Sequence, residues 1–486
     1  MRNYRMYVGG LLALVLVLHI GFITRHTLFT LEFITIRAIN ADYLPMIRER
    51  IGRNHMPGYF IVLKALTQLF GQGAFVLRLP SALGSIGGVL ATWRLGVWMF
   101  GRRTGLMVLA MLAIHQIGIT IAHDARMYAW LFCASSLVLW ATIAWWESGR
   151  KRYLWLLFCG GLFGMFSHML YLLIPGILLL YALIHHRRLR MRGWSSVAVA
   201  FTPALLMLPI IAWWTRVQDK VGRSQWKAPE FTEGLRQLKM TFLGDYHYLD
   251  FDPLQGVEIL LILICGYVTL RLFFAKASPE KPFWRYVDLL WLWCLLPTLG
   301  IILVAVKSHH QMVESFRYYI MTLSATPILL TGAWVGLKER GHPKGAKVFV
   351  GAVLAMLALN SASYLAQPGE GLRRVVKEIG RDYRQGDLIV TSRQMSRDIA
   401  VPYYLDASII PHGLPDKHWP MEKIDLWFRE TTKGYERVWV IFYDNKFAED
   451  PLAIYLARHE GDFKPLRPVF HYGESHMGLY ALPPGE

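Results

Sequence analysis

YVGGLLALVLVLHIGFIT fills residues 7–24, and RHTLFTLEFITIRAINADYLPMIRERIGRNHMP follows it as residues 25–57. The first stretch holds no Asp, Glu, Lys or Arg and has about the length of one membrane helix. The second mixes Glu32, Asp42 and Glu49 with Arg25, Arg37, Arg48, Arg50 and Arg53. An uncharged run opening onto a charged loop is the signature of a helix leaving a bilayer, and the chain repeats it. Further apolar runs lie at 80–100, 104–122, 126–146, 153–167, 169–185, 196–214, 257–274, 287–306, 317–337 and 346–365. Together they predict a polytopic α-helical membrane protein with about eleven transmembrane helices, the pair 153–167 and 169–185 being short enough to form one broken hairpin.

The bulk composition agrees. Of 486 residues 54% are hydrophobic and 18% charged, and 18 are Trp, which suits repeated interfacial girdles. Mean hydropathy is +0.32. The formal net charge of +18 is accounted for by cytoplasmic basic loops and anionic lipid, with no nucleic-acid partner. Cys133, Cys159, Cys265 and Cys294 all fall inside apolar runs, so neither a disulfide framework nor a cysteine metal site is expected. The first run has no small-residue cleavage site and reads as a retained helix.

Orientation follows from the basic turns. Arg2 and Arg5, Arg102 and Arg103, Arg150 to Arg152, Arg187 to Arg192, Lys276 to Arg285, and Lys338 to Lys347 alternate with the other turns and read as cytoplasmic. The alternation requires Tyr59–Phe70, with its Lys64 and Gln68, to lie at the outer surface rather than span. The outside set is then 25–79, 121–125, 167–169, 215–256, 307–316 and the chain after about 366. This places the N-terminus in the cytoplasm. Two domains are expected: 1–365 with the outer-face loop 25–79, and an extracytoplasmic α/β domain at 366–486. In the latter an amphipathic helix (Leu372, Val375, Val376, Ile379) precedes strand-like runs Leu388–Val390, Val438–Tyr443, Val469–Tyr472 and Gly478–Leu482, with a helix around Ile454–His459. No G-x-G-x-x-G and no P-loop occurs, so no nucleotide site is expected.

The ionisable residues that stand out all fall on the outer side. A carboxylate such as Glu32, with Asp42 as a second choice, can act as general base in a loop of arginines; a solvated acid is the plainer reading. Asp124, Arg126 and Tyr128 lie in His123-Asp124-Ala125-Arg126-Met127-Tyr128, where the acid can polarise an acceptor and the arginine hold a phosphate; an interfacial ion pair reads equally well. Lys307-Ser308-His309-His310 with Glu314 precedes Arg317 and Tyr318, and Arg317 at a helix start suits a phosphate oxygen. His55 and His168 are lone histidines at helix ends, and Arg78 sits where a helix re-enters the membrane, able to snorkel to headgroups or touch a lipid phosphate. Cations beside carboxylates, next to lipid, suit a substrate with a phosphate headgroup and a buried tail.

At this point the chain resembles the GT-C membrane glycosyltransferases that use polyprenyl-phosphate sugars, in the family 39-like branch of protein O-mannosyltransferases and the lipid A aminoarabinose transferase. His55-Met56-Pro57-Gly58-Tyr59 resembles the family's H-P-P-L-Y, Phe70-Gly71 to Leu83 its F-G…R-L-P-S-A-L, Asp124 to Ala129 its E-A-R-M-Y-A, and Arg317-Tyr318 its late R-Y. The family's Asp-Glu pair in the first loop corresponds to Leu31-Glu32, so Leu31 stands where the family has an acid. The resemblance implies inverting transfer of a sugar from a polyprenyl-phosphate donor to an envelope acceptor at the outer face of the plasma (inner) membrane. Glu32 or Asp124 would take the hydroxyl proton, and Arg126, Arg317 and Arg78 would stabilise the leaving phosphate, with His55, Tyr128, His168 and Tyr318 lining the substrate site. No spacing calls for a metal; a divalent cation (Mg or Mn) between Asp124 and phosphate is the one cofactor left open. A transporter or flippase for a lipid-linked sugar, and a catalytically inactive relative, remain as alternatives.

Overall fold

A computed structural model of the chain describes residues 2–483 except 29, 54, 211, 213–230, 245–251, 275–281, 309–314, 368–370, 393–400, 406–408, 410, 417–418, 444–449 and 473–474. The chain forms two compact units. One comprises Met1–Ile23 and Ala41–Gln367, the other Thr24–Asn40 and Pro368–Glu486.

The first unit is helical. Among the described residues six helices are long and apolar enough to cross a membrane: Asn3–Gly21, Ala74–Phe100, Tyr128–Ser148, Leu254–Arg271, Pro282–Leu303 and the helix that starts at Pro343. Two bent pairs raise this to eight, Arg102–Ala113 with Gln116–Ala122 (58°) and Phe316–Ser324 with Thr326–Glu339 (48°). The expected eleven runs therefore divide. The runs at 153–167 and 169–185 are the shorter apolar helices Arg152–Ser167 and Met169–Ile184, and the run at 196–214 falls partly outside the described residues. Gly58–Phe70, expected not to span, is a 13-residue helix.

The bends are chemically satisfied. At the first, the Ile114 carbonyl accepts from Ser361 Oγ, which replaces a backbone bond the break forfeits, and His115 Nε2 lies 3.2 Å from the Thr241 carbonyl of a neighbouring helix. At the second, Pro327 near the helix start cannot donate an N–H, which favours a new helix there over continuation. Ala74–Phe100 and Tyr128–Ser148 form the centre of the unit. Their contact is close because Gly84, Gly87 and Gly88 face Trp130, Cys133 and Phe132; a Cβ on Gly84 would come within 2.6 Å of Trp130. Thr92 Oγ1 donates to Ser136 Oγ across the same seam at 2.9 Å.

The second unit is α/β, as the alternating text predicts. Its strands are β1 (Leu388–Thr391), β2 (His412–Gly413), β3 (Arg437–Tyr443), β4 (Lys464–Pro465), β5 (Phe470–Tyr472) and β6 (Ser475–Ala481). The sheet order is β2-β1-β3-β6-β4, with β5 paired to β6. β1 runs parallel to β2 and β3 (Leu388↔Val438, Thr391↔Ile441), and β3 antiparallel to β6 (Arg437↔Ala481, Tyr443↔Ser475). β1 is buried at all four residues, as expected of a parallel strand covered on both faces. Helix Gly371–Asp382 buries Leu372, Val375, Val376 and Ile379, spaced three, four and seven apart on one stripe. Helix Met421–Thr432, which the sequence reading did not single out, adds Ile424 and Phe428 to the core.

Helix Thr30–Asn40 belongs with the C-terminal chain: the Leu28 N–H donates to Tyr404 Oη at 2.9 Å, and Phe33 packs edge-on against Tyr403 and Tyr404 at 6.2 Å. Phe33, Ile36 and Ile39 are buried, a helical stripe inside what reads as a polar loop.

Candidate active site

The site is built on the turn between helix Gln116–Ala122 and helix Tyr128–Ser148. The Arg126 N–H closes onto the Asp124 carbonyl at 2.6 Å, so residues 124 and 126 project from one tight bend. Asp124, Arg126 and Tyr128 are all buried. The bend is held from two sides. Ser81 Oγ donates to the Arg126 carbonyl at 2.9 Å and lies 2.8 Å from Tyr59 Oη. Ser81 spends its only proton on the carbonyl, so the tyrosine donates to the serine. Trp130 Nε1 donates to the Pro80 carbonyl at 2.9 Å, and its ring meets Tyr59 edge-on at 5.2 Å. Three segments far apart in sequence thus lock onto one another through Tyr59, Ser81 and Arg126. On the other side, His123 Nε2 lies 3.0 Å from the Leu18 carbonyl and His123 Nδ1 3.4 Å from Tyr364 Oη. A carbonyl cannot donate, so Nε2 carries the proton and Nδ1 accepts from the tyrosine.

Around the bend the expected residues gather. Arg317 Nε donates to Asp124 Oδ2 at 3.1 Å. Arg126 Nη2 reaches His55 Nε2 at 3.4 Å, and its guanidinium lies 5.7 Å from the Tyr128 ring centre. Tyr128 is perpendicular to Tyr318 at 6.0 Å and tilted on His168 at 5.7 Å; His168 meets Tyr318 at 6.1 Å. His168 Nδ1 accepts from the Leu170 N–H at 3.1 Å, which fixes it as the neutral acceptor that caps a short 3-10 turn. His55 is held well below the usual histidine range, first by burial and then by the charges of Arg126, His168, Arg50 and Arg53. A neutral His55 is what the Arg126 hydrogen bond requires, because only an unprotonated nitrogen can accept.

Arg50 joins this group, although the sequence counted it only among the loop arginines. It is 1% exposed, its Nη2 donates to Glu49 Oε1 at 2.8 Å, and its guanidinium lies 5.4 Å from the Phe60 ring centre. Its Nε and Nη1 are buried without a partner among the described residues. The His55 N–H donates to the Arg50 carbonyl at 2.8 Å, and burial first, with the charges of Arg53 and Arg126 after it, holds the Arg50 guanidinium below its ordinary value against the pull of Glu49. The signal available in the sequence was its place five residues before His55. Tyr59 and Ser81 likewise stood in recognisable motifs without a role.

Arg78 is 1% exposed, and its Nη1 donates to the Ile23 carbonyl at 2.7 Å. The first helix ends there, and its terminal carbonyl takes this donor in place of an intrahelical one. Glu32 is buried on helix Thr30–Asn40, which belongs to the second unit. His309, His310 and Glu314 lie outside the described residues. Among the described residues no three His, Cys, Asp or Glu side chains are grouped to hold a metal.

Arg50, Arg126 and Arg317 against Asp124 and Glu49, with neutral histidines between, leave a net positive, largely dry site. It can bind an anion and stabilise negative charge that develops on it.

Residues 54–213 match the model of a family described as dolichyl-phosphate-mannose-protein mannosyltransferase. No match is found among the curated proteins. Solved structures match over nearly the whole chain. ArnT from Cupriavidus metallidurans in the apo state is 11% identical, with 98% of each chain covered and a TM-score of 0.56. The same protein bound to undecaprenyl phosphate is 13% identical at the same coverage with a TM-score of 0.52. The archaeal oligosaccharyltransferase AglB from Archaeoglobus fulgidus, in complex with an inhibitory peptide and a dolichol-phosphate, is 11% identical, covers 99% of this chain and 74% of that one, and gives a TM-score of 0.50. The chain has the fold of the GT-C glycosyltransferases and, over residues 54–213, matches the dolichyl-phosphate-mannose-protein mannosyltransferase family.

Proposed function

We propose that the chain is a membrane glycosyltransferase that moves a sugar from a polyprenyl-phosphate donor to a hydroxyl acceptor of the cell envelope, at the outer face of the plasma membrane. The observation that carries this reading is the grouping of buried Arg126 and Arg50 with half-buried Arg317, the last paired with Asp124, in a fold whose relative ArnT is solved with undecaprenyl phosphate. In the reaction the acceptor oxygen bonds to the anomeric carbon while the bond from that carbon to the phosphate oxygen breaks. The hydroxyl proton passes to a carboxylate and the lipid phosphate leaves with the bonding electron pair. One displacement inverts the anomeric centre. Charge grows on the departing phosphate, where fixed guanidinium donors act most strongly. Asp124 is engaged by Arg317 at 3.1 Å, which suits it to aim that arginine. For the base itself, the family resemblance nominates Glu32. The aromatic wall of Tyr128 and Tyr318 offers an apolar face to a sugar ring or lipid.

The test is transfer from an undecaprenyl-phosphate-linked sugar by the purified full-length protein. Arg126→Met should lower kcat by about 10²–10³, the scale of losing one transition-state donor, and Glu32→Gln should abolish transfer. Binding of the donor without transfer by the wild-type protein would favour a transporter. Near-normal turnover in both variants would refute the assignment. Orientation is tested separately: an impermeant thiol reagent should label Lys433→Cys in intact cells, and Lys338→Cys only after permeabilisation.

A further inference from the structure

A second lipid-sized site lies away from the cluster just described. A groove of 720 Å³ opens among helices Tyr128–Ser148, Arg152–Ser167 and His186–Leu206, lined by Trp145, Trp155, Phe158, Val199 and the cations Lys151 and Arg192. Its volume falls in the range of ligand sites. Its walls are aromatic and aliphatic, and no carboxylate lines it. The neighbouring acid, Glu147, is bound to Arg285 at 3.1 Å and to Tyr286 at 2.7 Å. The two cations are available. Arg192 Nη1 caps the Trp146 carbonyl at 2.8 Å, which uses one end of the guanidinium, and the Lys151 ammonium has no hydrogen bond or ion pair among the described residues.

Two further observations concern the mouth. Trp155 and Met191, large apolar side chains, are 69% and 78% exposed among the described residues. Arg190, next to Met191, has φ 48° and ψ −137° and is, among the described residues, the one non-glycine with positive φ. A residue with a Cβ is strained in that region, and the chain turns there between the two helical stretches, with Met191 and Arg192 lining the groove. Trp145 Nε1 bonds to the Arg192 carbonyl and to Ser195 Oγ, both at 3.0 Å, so the indole keeps its polar edge satisfied and offers its ring as floor.

We infer that this groove holds an anionic glycerophospholipid, with its phosphate between Lys151 and Arg192 and acyl chain against Trp155, Phe158 and Val199. The charge pattern selects the class: two cations without a carboxylate favour a headgroup that brings no cation of its own, and each lysine or arginine near a lipid surface contributes roughly a fivefold gain. Phosphatidylglycerol should therefore be retained about 30-fold more than phosphatidylcholine.

The experiment is native mass spectrometry of the purified full-length protein in detergent, with phosphatidylglycerol, phosphatidylcholine or undecaprenyl phosphate added in turn. Lys151→Gln should cut phosphatidylglycerol retention about fivefold, while Lys347→Gln, an exposed lysine elsewhere, leaves it unchanged. Val199→Trp should fill the groove and lower retention of phosphatidylglycerol even where Lys151 is intact. Equal retention of the two phospholipids, equal effects of Lys151→Gln and Lys347→Gln, or preference of this site for undecaprenyl phosphate would each overturn the inference. None of these readouts depends on glycosyl transfer.

Discussion

Replacing Arg317 by Gln takes the Arg317 charge away from the Asp124 carboxylate, and the asymmetry of that pair makes the cost measurable. Asp124 has a 4% exposed side chain, Arg317 a 21% exposed one, at an N···O separation of 3.1 Å. At an effective dielectric of about 20 that separation corresponds to roughly 5 kcal/mol of attraction, much of it offset by desolvation. Removing the arginine leaves a buried charge without this partner, for about 3–5 kcal/mol. Asp124→Asn should cost less, about 1–2 kcal/mol, because Arg317 can turn toward water and keep its hydration. The double variant should lie well short of the sum, with a coupling of about 2 kcal/mol or more. The assay is reversible denaturant unfolding of the purified protein in detergent, followed by tryptophan fluorescence, for wild type, both singles and the double. A coupling below about 0.5 kcal/mol would mean that the pair is not formed. Equal destabilisation by the two singles would mean that the burial difference carries no energetic weight. Donor binding offers an independent check, since Arg317→Gln removes a cation from the proposed phosphate site while Asp124→Asn retains it.

Other consequences follow from the same geometry. Ser81→Ala removes the proton that holds the Arg126 carbonyl and the acceptor for Tyr59, so it should cost about 1–3 kcal/mol by unfolding and lower turnover by misplacing Arg126. Gly58→Ala would set a Cβ 2.6 Å from the Phe166 carbonyl oxygen and should cost about 1–3 kcal/mol, whereas Gly73→Ala, with nothing within 4 Å, should be neutral in the same melt. His55 is held well below its ordinary value of 6.5 when folded, so between that depressed value and about 6.5 the unfolded chain binds the proton more readily. Stability should therefore rise with pH through this window, level off above it, and fall on acidification. A His55→Gln variant should lose less stability than wild type between pH 7 and pH 5.5 in paired denaturant titrations; parallel curves would refute the neutral, buried His55.

Long-range order was legible wherever the physics is local. The apolar runs, the stripe Leu372, Val375, Val376, Ile379 and the strands around Val390 and Val440 follow from periodicity, and the structure places elements there. Asp124, Arg126, Tyr128, His55, His168, Arg317 and Tyr318 share one neighbourhood, which the motifs implied as a set. What could not be read was the demand of backbone groups made orphans by tertiary structure. Arg78 answers the Ile23 carbonyl, a need that appears only once the first helix ends beside it. Arg50 looks like every other loop arginine until Phe60 and Glu49 enclose it. Helix Thr30–Asn40 was hidden because its apolar stripe, Phe33, Ile36 and Ile39, alternates with polar residues over barely three turns.

That short helix has a consequence for biosynthesis. Leu28 is bonded to Tyr404, 376 positions later in the chain. At about 5–20 residues per second the partner does not exist until roughly 20 to 75 seconds after Leu28 has been polymerised. During that interval the segment bearing Glu32 must wait beside a growing membrane protein with Phe33, Ile36 and Ile39 uncovered. A nascent chain stalled before Tyr404 would therefore present this apolar stripe to whatever chaperone or protease patrols the same side of the bilayer.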